Sequence, residues 1–138
     1  MRLVLICVGK IKPPFADDVA HYLKLLGPHA RLDVTEVGEE DAVLKRIPDG
    51  SHVIALDREG EELTSEELAA FIADRRLARA DLCFVIGGAR GLEAAVLERS
   101  QRRISLGRIT LPHLLARVVF LEQLFRAHKI LAGEPYHY

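Results

Sequence analysis

The amino-acid sequence predicts an α/β fold with a mostly parallel sheet of five to six strands and helices on both faces. Short apolar runs rich in β-branched residues alternate along the chain with segments whose apolar residues recur at helical spacing. Except at residues 31–37, which alternate, these runs are continuous, so we expect most of the strands to be covered on both faces, as in parallel sheets. The chain has 138 residues, a length that suits a single domain over 1–138.

Each element is predicted from its own pattern. Strands are predicted over 2–8, 31–37, 51–57, 81–86 and 103–110. Helices are predicted over 15–26, 39–47, 64–79, 92–99 and 112–132. Thr64 or Ser65 is suited to cap the third helix, Pro112 to open the last one and Gly133 to end it.

Composition restricts the class of protein. Hydrophobic residues make up 49% and charged residues 28% of the chain, as in ordinary globular domains. No apolar run approaches the roughly 20 residues that span a bilayer, and the start of the chain lacks the pattern of a signal peptide. Cys7 and Cys83 lie inside apolar runs and are predicted to be buried, reduced thiols. We therefore expect a cytoplasmic protein without a metal site or a membrane partner.

The charge is distributed unevenly. The net charge is −1, but from Arg99 onward seven Lys and Arg residues stand against two Glu residues. This asymmetry predicts either a positive surface in the C-terminal third or an ordinary solvated surface with ion pairs.

Three strand ends are candidates for a ligand site, because open parallel sheets bind ligands at the carboxyl ends of their strands. They are Leu56-Asp57, the turn Ile86-Gly-Gly-Ala-Arg-Gly-Leu92, and residues 105–113. The glycines either let a ligand approach the backbone or simply form a tight turn. Their spacing fits neither a dinucleotide fingerprint nor a P-loop.

Several polar residues of the C-terminal third allow two interpretations each. His113 starts the last helix, where a neutral imidazole is favoured and accepts a proton, but it also suits a capping position. Arg117 is placed to bind phosphate or to face solvent. Glu122 and Arg126 are spaced i, i+4 and are expected to pair. Tyr136-His137 is an unusual pair for a terminal tail, which ordinarily carries no function.

A series of motifs runs in order through the chain. It comprises Leu3-Val-Leu-Ile-Cys-Val-Gly-Lys10, Ile86-Gly-Gly-Ala-Arg-Gly-Leu92, Ser105-Leu106, Thr110-Leu-Pro-His113, Arg117-Val-Val, Glu122-Gln, Arg126-Ala and Pro135-Tyr-His137. The series resembles the ribosomal RNA large subunit methyltransferase H family, which belongs to the SPOUT class of knotted methyltransferases. The resemblance covers nearly the whole chain and is densest between Ile86 and His137.

The resemblance implies a fold, an activity and a set of site residues. It implies a C-terminal trefoil knot, a homodimer whose subunits complete each site, and S-adenosylmethionine-dependent methylation of N3 of a pseudouridine in large-subunit ribosomal RNA on the assembled ribosome. The implied cofactor-binding residues are Leu56, Gly87, Gly88, Leu106, Gly107, Arg108, Ile109, Thr110 and Leu111. The implied residues for catalysis and substrate binding are His113, Arg117, Glu122, Arg126, Tyr136 and His137.

Two other functions stay open at this point. One is a SPOUT methyltransferase that acts on transfer RNA, and the other is a non-catalytic α/β nucleotide-binding module. The chain departs from the family pattern at Glu134, where Asn or His is usual, and between Val37 and Ser51, where it looks shorter. We expect the shortening to alter the outer surface and to leave the C-terminal motifs untouched.

The last predicted helix carries apolar residues on more than one face. Those beyond a single stripe are Leu115, Val119, Phe120 and Leu124. We expect them to pack across a two-fold axis in a homodimer, although burial within one subunit is the simpler alternative.

Overall fold

The computed structural model describes residues 1–138 and confirms the predicted α/β class. Its strands are β1 (Arg2–Val8), β2 (Arg31–Val37), β3 (His52–Glu62), β4 (Leu82–Ile86) and β5 (Arg102–Ser105). Its helices are α1 (Ala16–Leu26), α2 (Val43–Arg46), α3 (Ser65–Leu77), α4 (Ala94–Arg99) and α5 (His113–Ala132). All strand pairs are parallel, in the order β2-β1-β4-β3-β5.

Helices cover both faces of the sheet, which explains why the central strands β1 and β4 are almost entirely apolar. Along β1, Leu3 and Leu5 enter the core beneath α1, α3 and α5. The alternate residues Val4 and Ile6 enter a smaller core with residues of α2 and α4. Because successive side chains of a strand point to opposite faces, a strand buried on both sides must be apolar at every position.

The edge of the sheet differs from the prediction. Strand β3 continues to Glu62 instead of ending at residue 57, because an irregularity between Leu56 and Glu61 lets its last residues pair with β5. Strand β5 ends at Ser105 instead of residue 110. The Ser105 hydroxyl accepts a hydrogen bond from the Gly107 N–H and donates one to the Gly107 carbonyl (3.1 and 2.8 Å), which turns the chain out of the sheet.

The helix boundaries follow the expected signals with one exception. Thr64, not Ser65, caps α3, and it forms a reciprocal capping box with Glu67. Gly133 ends α5 in the left-handed conformation with φ of 68°, which glycine adopts without strain. The helix predicted over 39–47 is reduced to a 3-10 turn (Glu40–Ala42) followed by the single turn of α2.

Candidate functional site

A cavity opens at the carboxyl ends of β3, β4 and β5, where parallel sheets bind their ligands. It contains about 600 Å³ of free space, counting its open mouth. Its lining comes from the segments that follow these three strands and from the first turn of α5. The lining residues are Leu56, Asp57, Arg58, Ile86, Gly87, Gly88, Gly91, Ser105, Leu106, Gly107, Ile109, Thr110, Leu111, His113 and Ala116.

The structure brings together nearly all of the residues that the sequence assigned to a cofactor. Eight of the nine line this cavity: Leu56, Gly87, Gly88, Leu106, Gly107, Ile109, Thr110 and Leu111. The ninth, Arg108, is exposed and does not line it. Residues from three separate parts of the chain thus meet around one space.

Glycines let the backbone itself form much of the cavity wall. A Cβ atom at Gly87 would lie 2.6 Å from the carbonyl carbon and oxygen of Gly91, so no side chain fits there. The Gly91 N–H donates to the Gly88 carbonyl at 3.0 Å and closes the turn. Gly107 has φ of 125°, a conformation that side chains rarely allow. Backbone N–H and C=O groups are therefore available to hydrogen-bond a ligand, beside leucine side chains that suit a flat ring.

Some of the lining was not assigned to the cofactor. Asp57 belongs to a strand end that the sequence marked as a candidate ligand site, and Arg58 follows it directly. Arg58 donates to the Thr110 hydroxyl at 3.2 Å and so connects β3 to the segment after β5. Nothing in the sequence pattern indicated Ala116. It lies in α5, and the sequence does not show which face of that helix borders the cavity.

The segment between Val37 and Ser51 contacts the glycine turn. The Gly88 N–H donates a 3.0 Å hydrogen bond to Glu40 Oε1 across 48 residues of sequence. Glu40 was not among the predicted site residues. Acidic residues are frequent in surface turns, so no sequence signal distinguished this one.

His113 and Arg117 connect the cavity to the loop after β1. His113 lines the cavity and lies next to Gly9 in the loop after β1. A Cβ atom placed on Gly9 would be 3.4 Å from His113 Nε2. Arg117, one turn later, is only 1% exposed. Its guanidinium donates to Glu36 Oε2 and to the Gly9 carbonyl, at 2.5 and 3.0 Å. Arg117 therefore neither faces solvent nor is free to bind phosphate; it ties α5 to the loop beneath the cavity.

The Arg117 ion pair alters the titration of its partner. Partial burial by itself raises the pKa of Glu36, but hydrogen bonds from Arg117 and from the Ile11 N–H outweigh burial and lower that pKa overall. Glu36 therefore stays ionised and keeps the loop after β1 attached to α5.

The other four residues of the predicted catalytic set form a second group at the far part of α5. Arg126 donates to Glu122 Oε2 through Nη2 at 2.9 Å, and the Tyr136 hydroxyl donates to the same oxygen at 2.9 Å. The Arg126 guanidinium also lies over the Tyr136 ring, 4.8 Å from its centre, and Tyr136 packs edge-on against Phe125. The tail is thus held in place rather than frayed.

The hydrogen bonds of His137 fix its tautomer. Arg126 Nη1 lies 3.0 Å from His137 Nδ1, and because a guanidinium can only donate, Nδ1 must be the acceptor. The proton therefore sits on Nε2, which donates to Glu66 Oε1 at 2.6 Å. Nearby, burial and then the hydrogen bond to Glu122 raise the pKa of Tyr136 to about 12, so it remains a neutral donor.

The cavity and the tail group are separate within one chain. His113 opens α5 and Glu122 lies nine residues later on the same helix. At about 1.5 Å of rise per residue these positions are roughly 13 Å apart along the axis. A single chain therefore does not place Tyr136 or His137 beside the cavity.

Other features of the chain bear on its chemistry. Cys7 and Cys83 are free and buried, as predicted, and burial raises the pKa of both thiols to about 12. No group of three or more His, Cys, Asp or Glu residues is arranged to hold a metal ion. No helix has both the length and the apolar character needed to cross a membrane.

Comparison with known proteins by sequence matches one family over nearly the whole chain. A family model described as a predicted SPOUT methyltransferase matches residues 1–137. The ribosomal RNA large subunit methyltransferase H of Carboxydothermus hydrogenoformans is 43% identical over 158 aligned positions, which cover 99% of each chain. The protein of the same name from Listeria monocytogenes serotype 4a is 41% identical with the same coverage.

Solved structures support the fold. A probable methylase family protein from Haemophilus influenzae Rd KW20 superimposes with a TM-score of 0.64 at 13% identity, over 99% of this chain and 70% of that one. A probable methyltransferase from Bordetella pertussis Tohama I gives a TM-score of 0.61 at 17% identity, over 92% and 94% of the two chains. At such identities the similarity concerns the fold alone.

Proposed function

Because the chain belongs to the SPOUT methyltransferase family, with ribosomal RNA large subunit methyltransferase H proteins among its full-length relatives, we propose that it methylates large-subunit ribosomal RNA. Its target is N3 of a pseudouridine on the assembled ribosome, its methyl donor is S-adenosylmethionine, and it works in the cytoplasm as a single-domain subunit. The observation that carries this proposal is the meeting of eight of the nine residues that the resemblance assigns to the cofactor, from three segments, around one cavity at the carboxyl edge of the sheet.

The cavity fits the proposed cofactor. Leu56, Leu106 and Leu111 offer apolar surface for a purine ring. The backbone of the Gly87-Gly88 turn and of the lining residues Gly107, Ile109 and Thr110 offers hydrogen-bonding groups. When bound, S-adenosylmethionine supplies an electrophilic methyl group on its sulfonium. The task of the protein is then to hold the receiving nitrogen close and in line with that methyl group.

A trefoil knot in the C-terminal part is also proposed. Strand β5 lies at the edge of the sheet beside β3, yet α5 packs against both α3 and α1. The chain therefore returns from the edge to the middle of the molecule through residues 106–111, past the ends of β3 and β4. Knots are so rare that chain order alone does not predict one; the family supports it here.

A homodimer is proposed because it would bring together the cavity and the separate group formed by Glu122, Arg126 and the tail. Phe120 and Leu124, two of the residues expected at the interface, are instead 1% and 0% exposed within the single chain, where they fill the core. Leu115 and Val119 are half-buried and remain available. A two-fold partner seated on this face of α5 would bring the tail of one subunit to the cavity of the other.

The polar groups suit the removal of the N3 proton of pseudouridine. His113 lines the cavity and is one candidate for the base. His137 is the other, and it must first release Arg126, because only the unprotonated Nδ1 can accept a proton and Arg126 donates to it. Arg126 carries a fixed positive charge between Glu122 and the tail and would stabilise the imide anion that forms. Arg117 acts at a distance, by holding the loop next to His113.

We predict that S-adenosylmethionine binds the purified protein and that a chelator leaves its affinity unchanged, because the cavity contains backbone and leucine groups and no cluster of metal ligands. Isothermal titration calorimetry with and without EDTA measures this. Absence of binding under both conditions contradicts the proposed function, and loss of binding with EDTA alone contradicts a metal-free site.

A further inference from the structure

The glycine turn that lines the cavity is held from outside by a carboxylate. Within the turn, the Gly91 N–H donates to the Gly88 carbonyl at 3.0 Å. The N–H of Gly88 itself is directed away from that bond and donates to Glu40 Oε1 at 3.0 Å. A hydrogen bond to an ionised acceptor is roughly twice as strong as a neutral one, so this contact is a firm anchor for the turn.

Glu40 and Gly88 are also fitted closely to each other. A Cβ atom at Gly88 would lie 2.7 Å from Glu40 Oε1 and 3.2 Å from a methyl carbon of Val8. The absence of a side chain at Gly88 is therefore what lets the carboxylate reach the backbone.

The second carboxylate oxygen gives an independent sign that Glu40 has a role beyond surface solubility. Glu40 Oε2 is buried and has no hydrogen-bond partner. Burying half of a carboxylate in this way is unfavourable, and such groups in native proteins call for a functional or structural reason. The contact that Oε1 makes with the Gly88 N–H supplies the reason.

We propose that Glu40 is a positioning residue for cofactor binding: its carboxylate holds the turn of residues 87–91 in the conformation that lines the cavity. The inference rests on the function proposed above. Glu40 does not line the cavity, so it acts through Gly88 rather than by touching the ligand. The shortened segment between Val37 and Ser51 therefore retains one contact on which the site depends.

Three substitutions test this. Glu40→Ala removes the acceptor, Glu40→Gln keeps an oxygen acceptor without the charge, and Glu39→Ala is a matched control at an exposed neighbouring glutamate. We expect Glu40→Ala to weaken the binding of S-adenosylmethionine and of S-adenosylhomocysteine alike by about 10- to 100-fold, the value of one charge-assisted hydrogen bond. Glu40→Gln keeps a neutral acceptor worth roughly half as much, so it should bind about 3- to 10-fold more weakly than the wild type and stay tighter than Glu40→Ala, and Glu39→Ala should match the wild type.

Two further readouts separate positioning from a general loss of structure. The KM for S-adenosylmethionine should rise in Glu40→Ala while kcat at saturation and the KM for ribosomes stay near wild type. In the ligand-free protein, the Gly88 amide should exchange its hydrogen at least about tenfold faster in Glu40→Ala than in the wild type. The amides of strand β4, which precedes the turn, should exchange at an unchanged rate.

Wild-type affinity in Glu40→Ala would overturn the proposal. So would a Glu39→Ala variant as weak as Glu40→Ala, because the loss of affinity would then not depend on the contact with Gly88. If the wild-type protein binds no S-adenosylmethionine, the proposed function fails, but unchanged exchange of the Gly88 amide is still the result that refutes the anchoring of the turn.

Discussion

Replacing Gly87 with alanine is expected to reduce S-adenosylmethionine affinity on the order of 100-fold, because the added methyl group would overlap the backbone of Gly91 at 2.6 Å. Backbone atoms cannot move aside as a flexible side chain can, so the turn of residues 87–91 must open and the cavity wall is lost. Calorimetric titration of the variant measures the effect.

Gly38→Ala is the matched control for this substitution. A Cβ atom at Gly38 would have no neighbouring atom within 4 Å, and Gly38 has no left-handed φ, so it tests the effect of a glycine-to-alanine change without a clash. Thermal unfolding of both variants shows whether each is folded. A folded Gly87→Ala protein with wild-type affinity would mean that the turn does not form the cofactor wall.

Deleting residues 135–138 is expected to lower methyl transfer by about 100- to 10,000-fold, the range that positioned proton transfer contributes. The deletion removes Tyr136 and His137 and leaves Arg126 and Glu122 without their tail partners. Cofactor affinity should stay within about threefold of wild type, because none of the deleted residues lines the cavity. A single-turnover assay with ribosomes and a separate calorimetric titration measure the two effects.

Removal of Tyr138 alone is the control for the truncation, since this residue is fully exposed and belongs to neither group. A truncated protein that methylates ribosomes at the wild-type rate would show that the tail is idle. Loss of cofactor binding on truncation would show instead that the tail supports the cavity.

The central strand β1 was predictable because its own residues form an apolar run flanked by turn residues, which favours a strand buried on both faces. The bounds of the edge strand β2 are also those expected, from its alternating pattern. The opposite edge, formed by β3 and β5, was not predictable in the same way. Where β3 ends depends on its pairing with β5, and where β5 ends depends on the Ser105 hydroxyl, and neither partner is adjacent in sequence.

The candidate site was predictable where motif residues follow strands, and not where contacts join distant segments. Gly87 belongs to a motif that follows a predicted strand, Leu56 lies at the end of another predicted strand, and both line the cavity. The bond from Gly88 to Glu40 spans 48 residues, and the ion pair of Arg117 with Glu36 spans 81. Periodicity and local spacing carry no information about such pairings, so both had to come from the fold.

The most direct test of the proposed activity is to map modified nucleosides in ribosomal RNA. Ribosomes from a strain lacking this protein are incubated with the purified protein and S-adenosylmethionine, and the RNA is digested and analysed by mass spectrometry. We expect one new methyl group per large subunit, on N3 of a pseudouridine, and none in transfer RNA. Methylation of transfer RNA alone, or no methylation of any RNA by a protein that binds S-adenosylmethionine, would contradict the proposed function.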